Sequence, residues 1–203
     1  VFIFYLVLSS LFSSSLCAQA SDWRLGASIG YGGAGLSSTA NVDGTLTSVS
    51  RSEGPGMASV FVDELLTDYL DFSLEHIRGF RLGPFSSGVS FTGMAFRWYF
   101  WGPAPNGNPD TKTETTLFVR RYTPFVGLAT GVALADISRT NDLVPRVTGS
   151  GAYIGIRLGA DYPIRPGFGI RPQITTSTTF FSSVSPPTKL SEFALECGFY
   201  IYL

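Results

Sequence analysis

From Ser21 onward the chain alternates apolar and polar residues two at a time. In SDWRLGASIGYG, Ser21 to Gly32, Trp23, Leu25, Ala27, Ile29 and Tyr31 fall on one face of an extended strand; Arg24, Gly26, Ser28, Gly30 and Gly32 fall on the other. Successive strand side chains point to opposite sides, so this period of two predicts a half-buried strand. The pattern recurs in seven further stretches. They are ASVFVDE (Ala58 to Glu64), YLDFSLEHIRG (from Tyr69), SGVSFTGMAFRWYFW (ending at Trp101), TPFVGLATGVALA (Thr123 to Ala135), AYIGIRLGADY (Ala152 to Tyr162), GIRPQITTSTTF (Gly169 to Phe180) and EFALECGFYIYL (Glu192 to Leu203). The Ala58 example is the noisiest, because Phe61 shares a face with Ser59 and Asp63. Eight strands result, each close to the roughly 9 to 11 residues that a tilted strand needs to cross a bilayer.

The connections divide into two kinds. Leu65 to Asp68 and Pro163 to Phe168 are short; Gly33 to Gly56, Arg81 to Gly88, Asp136 to Gly151 and Phe181 to Ser191 are longer and are expected at the opposite rim. Gly102 to Leu117 falls by parity on the short-turn side although it is long, which predicts a polar insertion there.

Alternation alone does not say which face meets water, and an exported soluble ligand-binding barrel would alternate too, with its apolar side chains inward. Two features favour the inverted arrangement of an all-β, eight-stranded antiparallel up-and-down transmembrane barrel. Aromatic residues lie near strand ends on the apolar face, at Trp23, Tyr31, Trp98, Phe100, Tyr162 and Phe193, where amphipathic rings favour a membrane interface. The other face is rich in Gly, Ala, Ser and Thr but carries Arg24, Asp71, Glu75, Arg97, Arg157, Asp161, Arg171 and Glu196. An eight-stranded ring encloses room only for side chains, so such charges must pair to offset their desolvation. The expected pairings place Arg97 between Asp71 and Glu75, Asp161 beside Arg171 across one turn, and Glu196 toward Arg24 on closure.

Composition agrees with this reading. Charged residues are 14% of the 203, aromatics 14%, glycines number 23 and the net charge is −1, which leaves no basic stripe for nucleic acid. Residues Val1 to Ala20, VFIFYLVLSSLFSSSLCAQA, combine an apolar run too short to span a bilayer with an A-x-A site at Ala18-Gln19-Ala20, so a signal peptide cleaved after Ala20 is expected, leaving Ser21 to Leu203 as a single barrel domain. Cys17 would leave with that leader; Ser14-Ser15-Leu16 before it lacks the small residue of a lipidation signal, and Cys197 would remain alone without a disulfide.

The chain's last, third-last and fifth-last residues, Leu203, Ile201 and Phe199, are all apolar. Here the sequence resembles the small outer-membrane barrels of the OmpA transmembrane-domain and opacity-porin type. YTPFVGLATGVAL, from Tyr122, and GIRLGADYPI, from Gly155, are similar to that family's fifth and sixth strands. The resemblance implies a final strand read by the barrel-assembly machinery of a diderm bacterium, which usually prefers a terminal Phe where Leu203 stands here.

Candidate chemistry is sparse. His76 is the one histidine; a hydrolase would need it beside a nucleophile such as Ser73 and an acid such as Glu75, and both fall on the opposite face. GYGGAG (Gly30 to Gly35) lacks the Lys-Ser/Thr of a phosphate loop, and Ser50-Arg51-Ser52-Glu53 and Arg120-Arg121 read as solvated charges. No enzyme, cofactor or metal is expected. The expectation is a monomeric outer-membrane barrel with a charge-occluded lumen, contacts to outer-membrane lipid, and external loops that meet an unidentified surface ligand; a narrow porin-like channel using Arg97, Asp71 and Glu75 is the alternative alongside the soluble barrel.

Overall fold

The computed structural model describes residues 23–42, 45–54, 56–80, 87–101, 122–137, 147–165, 167–181 and 188–203; the leader and residues 102–121 lie outside them. Nine strands run in order: β1 (Trp23–Val42), β2 (Thr45–Glu53), β3 (Gly56–Thr67), β4 (Leu70–Phe80), β5 (Ser87–Tyr99), β6 (Thr123–Ile137), β7 (Val147–Arg165), β8 (Phe168–Phe181) and β9 (Thr188–Tyr202). Each pairs antiparallel with its neighbours, and β1 pairs with β9 to close the ring. β2 and β3 both pair with β1, β2 with residues 34–42 and β3 with residues 23–31, so they are successive parts of one stave, the first ending at Glu53 and the second beginning at Gly56. The barrel therefore has eight staves.

Closure fixes its shape. Following paired residues around the ring from Arg24 leads through Asp63, Ser73, Ala95, Ala129, Gly155, Ser177 and Glu192 and returns to β1 at Ala34, ten residues above the start. With about 3.3 Å per residue and about 4.8 Å between strands, a stagger of ten over eight staves implies a tilt of about 40° and a backbone radius of about 8 Å. Such a ring has no unpaired sheet edge within its wall, as a hydrocarbon environment demands.

The alternation resolves as an outward apolar face. Leu25, Ile156 and Phe199 are 42%, 51% and 46% exposed, whereas Arg97 and Arg157 are 1% and 2% exposed. A water-soluble barrel would show the reverse, so the soluble ligand-binding alternative does not describe this orientation.

One expectation about the connections needs correction. Gly33 to Gly56 is not a loose loop: β1 continues to Val42 and returns through β2, pairing Ala34 with Glu53 through Val42 with Thr45. Ser and Thr suit an extended strand as well as a loop, and composition alone hid the pairing. At the other rim the short connections are as expected. Thr67 pairs with Leu70 around a two-residue turn, and the turn between β7 and β8 uses Gly167, whose φ of 78° favours glycine.

Candidate functional site

The interior is layered. The lower layer, near the short turns, gathers three guanidiniums, Arg24, Arg97 and Arg171, with three carboxylates, Asp63, Asp71 and Asp161, all fully buried. Arg24 Nη1 donates to Asp161 Oδ2 at 2.7 Å, and its Nη2 donates to Asp71 Oδ2. Arg97 Nη1 reaches Asp63 Oδ1 at 3.0 Å and Asp71 Oδ1 at 3.2 Å. Arg171 donates from Nη1 to Asp63 Oδ2 at 2.7 Å and from Nε to Asp161 Oδ1 at 2.5 Å. Each carboxylate thus faces at least two guanidiniums. That multiple satisfaction is what allows a buried ionic cluster to offset its desolvation.

Aromatic rings complete this layer. The Tyr99 hydroxyl lies 2.7 Å from Asp71 Oδ2 and 2.6 Å from Asp161 Oδ2; it has one proton to donate, and Arg24 serves both of those oxygens as well. Arg171 sits over the rings of Phe61, Phe125 and Tyr200 at 5.0, 5.7 and 5.3 Å, and Arg97 over Phe61 and Phe125 at 5.9 and 5.7 Å, within cation–π range. Phe61 reaches this position because residue 26 is glycine: a Cβ there would stand 2.2 Å from its ring.

Above it, Glu75 accepts from Arg157 Nη1 at 2.5 Å, from Arg157 Nη2, and from the Tyr153 hydroxyl at 3.1 Å. Glu196 accepts from Thr175 Oγ1 at 2.5 Å, and from Ser28 Oγ and Gln173 Nε2 at 3.1 Å each. Glu192 accepts from Ser177 Oγ at 3.0 Å. Met57, Ile77, Val89, Phe91, Phe181 and Leu190 then cap the lumen as an apolar layer continuous with inward alanines. Between cap and charges is a cavity of about 20 Å³, lined by Tyr153, Arg157, Thr175, Ser177, Glu192 and Glu196, with room for about one water.

The eight charged residues singled out by alternation all lie inside, but three details differ. Arg97 is in register with Asp71, not between Asp71 and Glu75. Closure sets Glu196 opposite Gly30 and Arg24 opposite Tyr202, so the stagger of the ring keeps Glu196 and Arg24 apart. The inventory was also incomplete: Asp63 and Glu192 face inward, making six carboxylates to four guanidiniums among the described residues. Asp63 could have been found from its register with Ser59, had Phe61 on the same face not been read as noise. The interior is likewise less polar than expected, because the upper cap is apolar.

On the outer face, Tyr31, Trp98, Phe100 and Phe193 are exposed, with the Trp98 and Phe100 rings 6.1 Å apart; Trp23 and Tyr162 are half-buried at the lower rim. Phe199, Ile201 and Leu203 point outward along β9. His76 is exposed on the outer face with Nδ1 2.8 Å from Thr92 Oγ1, while Ser73 and Glu75 are buried in the lumen, so no hydrolase triad forms. No metal cluster occurs among the described residues.

A closed eight-stave ring, apolar outside and filled with ion pairs, defines a transmembrane β-barrel. More narrowly, the chain has the fold of the small eight-stranded outer-membrane barrels. It aligns with the crystal structure of Neisserial surface protein A at TM-score 0.62 and 13% identity, over 92% of this chain and 100% of that one. OprG, an outer membrane protein from Pseudomonas aeruginosa, aligns at TM-score 0.53 and 11% identity, over 91% of this chain and 98% of that one. No family model and no curated protein sequence matches the chain.

Proposed function

We propose that the protein is an integral outer-membrane barrel with a closed lumen, whose β1–β2 strand pair carries surface contact above the bilayer. The single observation that carries this reading is the orientation of the wall: aliphatic and aromatic side chains outward, every described inward guanidinium paired to carboxylate. The three-to-three ionic layer below and the apolar cap above fill the described interior of a narrow ring with side chains, which supports an occluded body over a diffusion pore. The outward aromatics act as interface anchors, and Phe199, Ile201 and Leu203 as the assembly signal on the last strand. Val1 to Ala20 serves as the export signal and is cleaved after Ala20, so the amino terminus of the mature protein is Ser21.

Fractionation with heat-dependent gel mobility tests the membrane placement. The expected result is a detergent-requiring protein whose band shifts on boiling; a barrel that stays in the aqueous periplasmic fraction refutes it. Planar-bilayer recording tests the closure. Silence is expected, and stable single-channel openings altered by Arg97→Ala would replace the closed body with the narrow-channel reading.

A further inference from the structure

The apolar belt is not equally tall all round. On β4 the outward residues run Leu70, Phe72, Leu74 and then turn polar at His76 and Arg78. Their outward partners on β5 do the same, with Phe96 and Met94 giving way to Thr92 and Ser90, which pair with His76 and Arg78. On β6, Val132 and Leu134 keep the surface apolar much further, and both are exposed. Leu134 pairs with Ser90, four residues above Met94, which pairs with Leu74. Four residues of axial rise plus two strand steps around a ring of this tilt put Leu134 about 15 Å higher along the axis than Leu74. The β4–β5 side therefore exposes polar groups at a depth where the β6 side is still in hydrocarbon.

Arg78 is exposed there, and the outward residues facing it across the ladders are Ala58 on β3 and Ser90 on β5. For His76 they are Val60 and Thr92. None of these four carries a carboxylate, so the guanidinium has no acidic partner among its described outward neighbours. Directly below lies a continuous apolar wall of Val60, Leu74, Met94, Phe72 and Phe96, the last two with rings 5.2 Å apart. A cation with hydroxyl neighbours above an aliphatic and aromatic wall matches an anionic headgroup above its acyl chains.

Resting on the membrane placement proposed above, we propose that Arg78, with His76, Ser90 and Thr92, docks the headgroup phosphate of an outer-leaflet anionic lipid on the short side of the belt. The lipid's chains lie along the Val60 to Phe96 wall, and its headgroup sits deeper than the top of the apolar surface on the adjacent β6, so the outer leaflet thins locally at β4–β5.

Native mass spectrometry of the folded protein in neutral detergent tests this, using only preparations that show the heat-dependent gel shift; loss of that shift in the wild type would instead remove the membrane reading. Phosphatidylglycerol is compared with diacylglycerol of the same chains, which lacks the phosphate. Wild type is expected to retain phosphatidylglycerol at least about tenfold better. Arg78→Gln should fall to the diacylglycerol level and Arg78→Lys should keep most of the preference. Lys189→Gln, at an exposed cation over the Phe180 ring on β9, should leave it unchanged. Equal retention of the two lipids, equal behaviour of wild type and Arg78→Gln, or displacement of the lipid by millimolar inorganic phosphate alone would overturn the assignment.

Discussion

Replacing Asp63 with Asn tests whether the lower layer is one charge-balanced unit. Asp63 accepts from Arg97 at 3.0 Å and from Arg171 at 2.7 Å in a site with no solvent exposure. The variant keeps the shape of the side chain and removes one of three negative charges facing three guanidiniums. Breaking a buried ion pair from one side costs about 3–5 kcal/mol, because the remaining charge stays desolvated. Arg171→Met leaves Asp63 and Asp161 short of a donor and should cost a similar amount. The double variant returns the layer to two guanidiniums and two carboxylates, so its loss should fall short of the summed single losses by about 2 kcal/mol or more. Urea titration of the protein refolded into vesicles reads this directly; Trp23, Trp98 and Trp101, the three tryptophans, sit near the lower rim and move from lipid to water on unfolding. Single losses under about 1 kcal/mol, or strictly additive losses, would refute the cooperative layer and reduce it to a set of weak independent contacts.

Three further outcomes follow from the same geometry. Ile156→Arg places a charge on the exposed mid-belt face and should destabilise the barrel in vesicles by about 2–4 kcal/mol, against little change for Lys189→Arg above the belt; equal effects would mean the belt is misplaced. Gly26→Val puts branched carbon where the Phe61 ring now lies, 2.2 Å from the Cβ position, and should lower the folded fraction on gels, with Phe61→Ala in the same chain recovering part of it. Cys197 is outward-facing and half-buried in β9, so in vesicles a lipid-soluble maleimide should label it and a membrane-impermeant one should not until the protein is unfolded; rapid labelling by the impermeant reagent would place β9 in water.

The period of two made the wall legible because it is a local property: one residue's face fixes its neighbours' faces along the strand. The outward Leu25, Ile156, Phe199 and Ile201 were readable in this way, and so were the inward Arg97 and Arg157. What was hidden depends on register between strands, which only closure sets. The stagger of ten residues decides that Arg24 meets Asp71 and Asp161 and not Glu196, and no single strand carries that information. The β1–β2 pair was hidden for a different reason. Ser- and Thr-rich extended chain looks like loop by composition, although Asp43-Gly44 between two paired runs is a hairpin signal that was present in the sequence.

The same closure explains why aromatic residues face inward without making the barrel water-soluble. A backbone radius of about 8 Å leaves space for side chains but not for a hydrated channel, so four arginines can be enclosed only if something other than water contacts their flat faces. Phe61, Phe125 and Tyr200 do this for Arg171, and glycine at residues 26 and 169 makes room for it, since a Cβ at residue 169 would stand 2.3 Å from the Tyr200 ring. The inward face is thus built in complementary sizes, large cation against ring and ring against glycine, while the outward face is free to vary in height. Because the interior is committed to filling itself, the surfaces left for the proposed contacts are the β1–β2 strand pair and the uneven outward belt that carries Arg78.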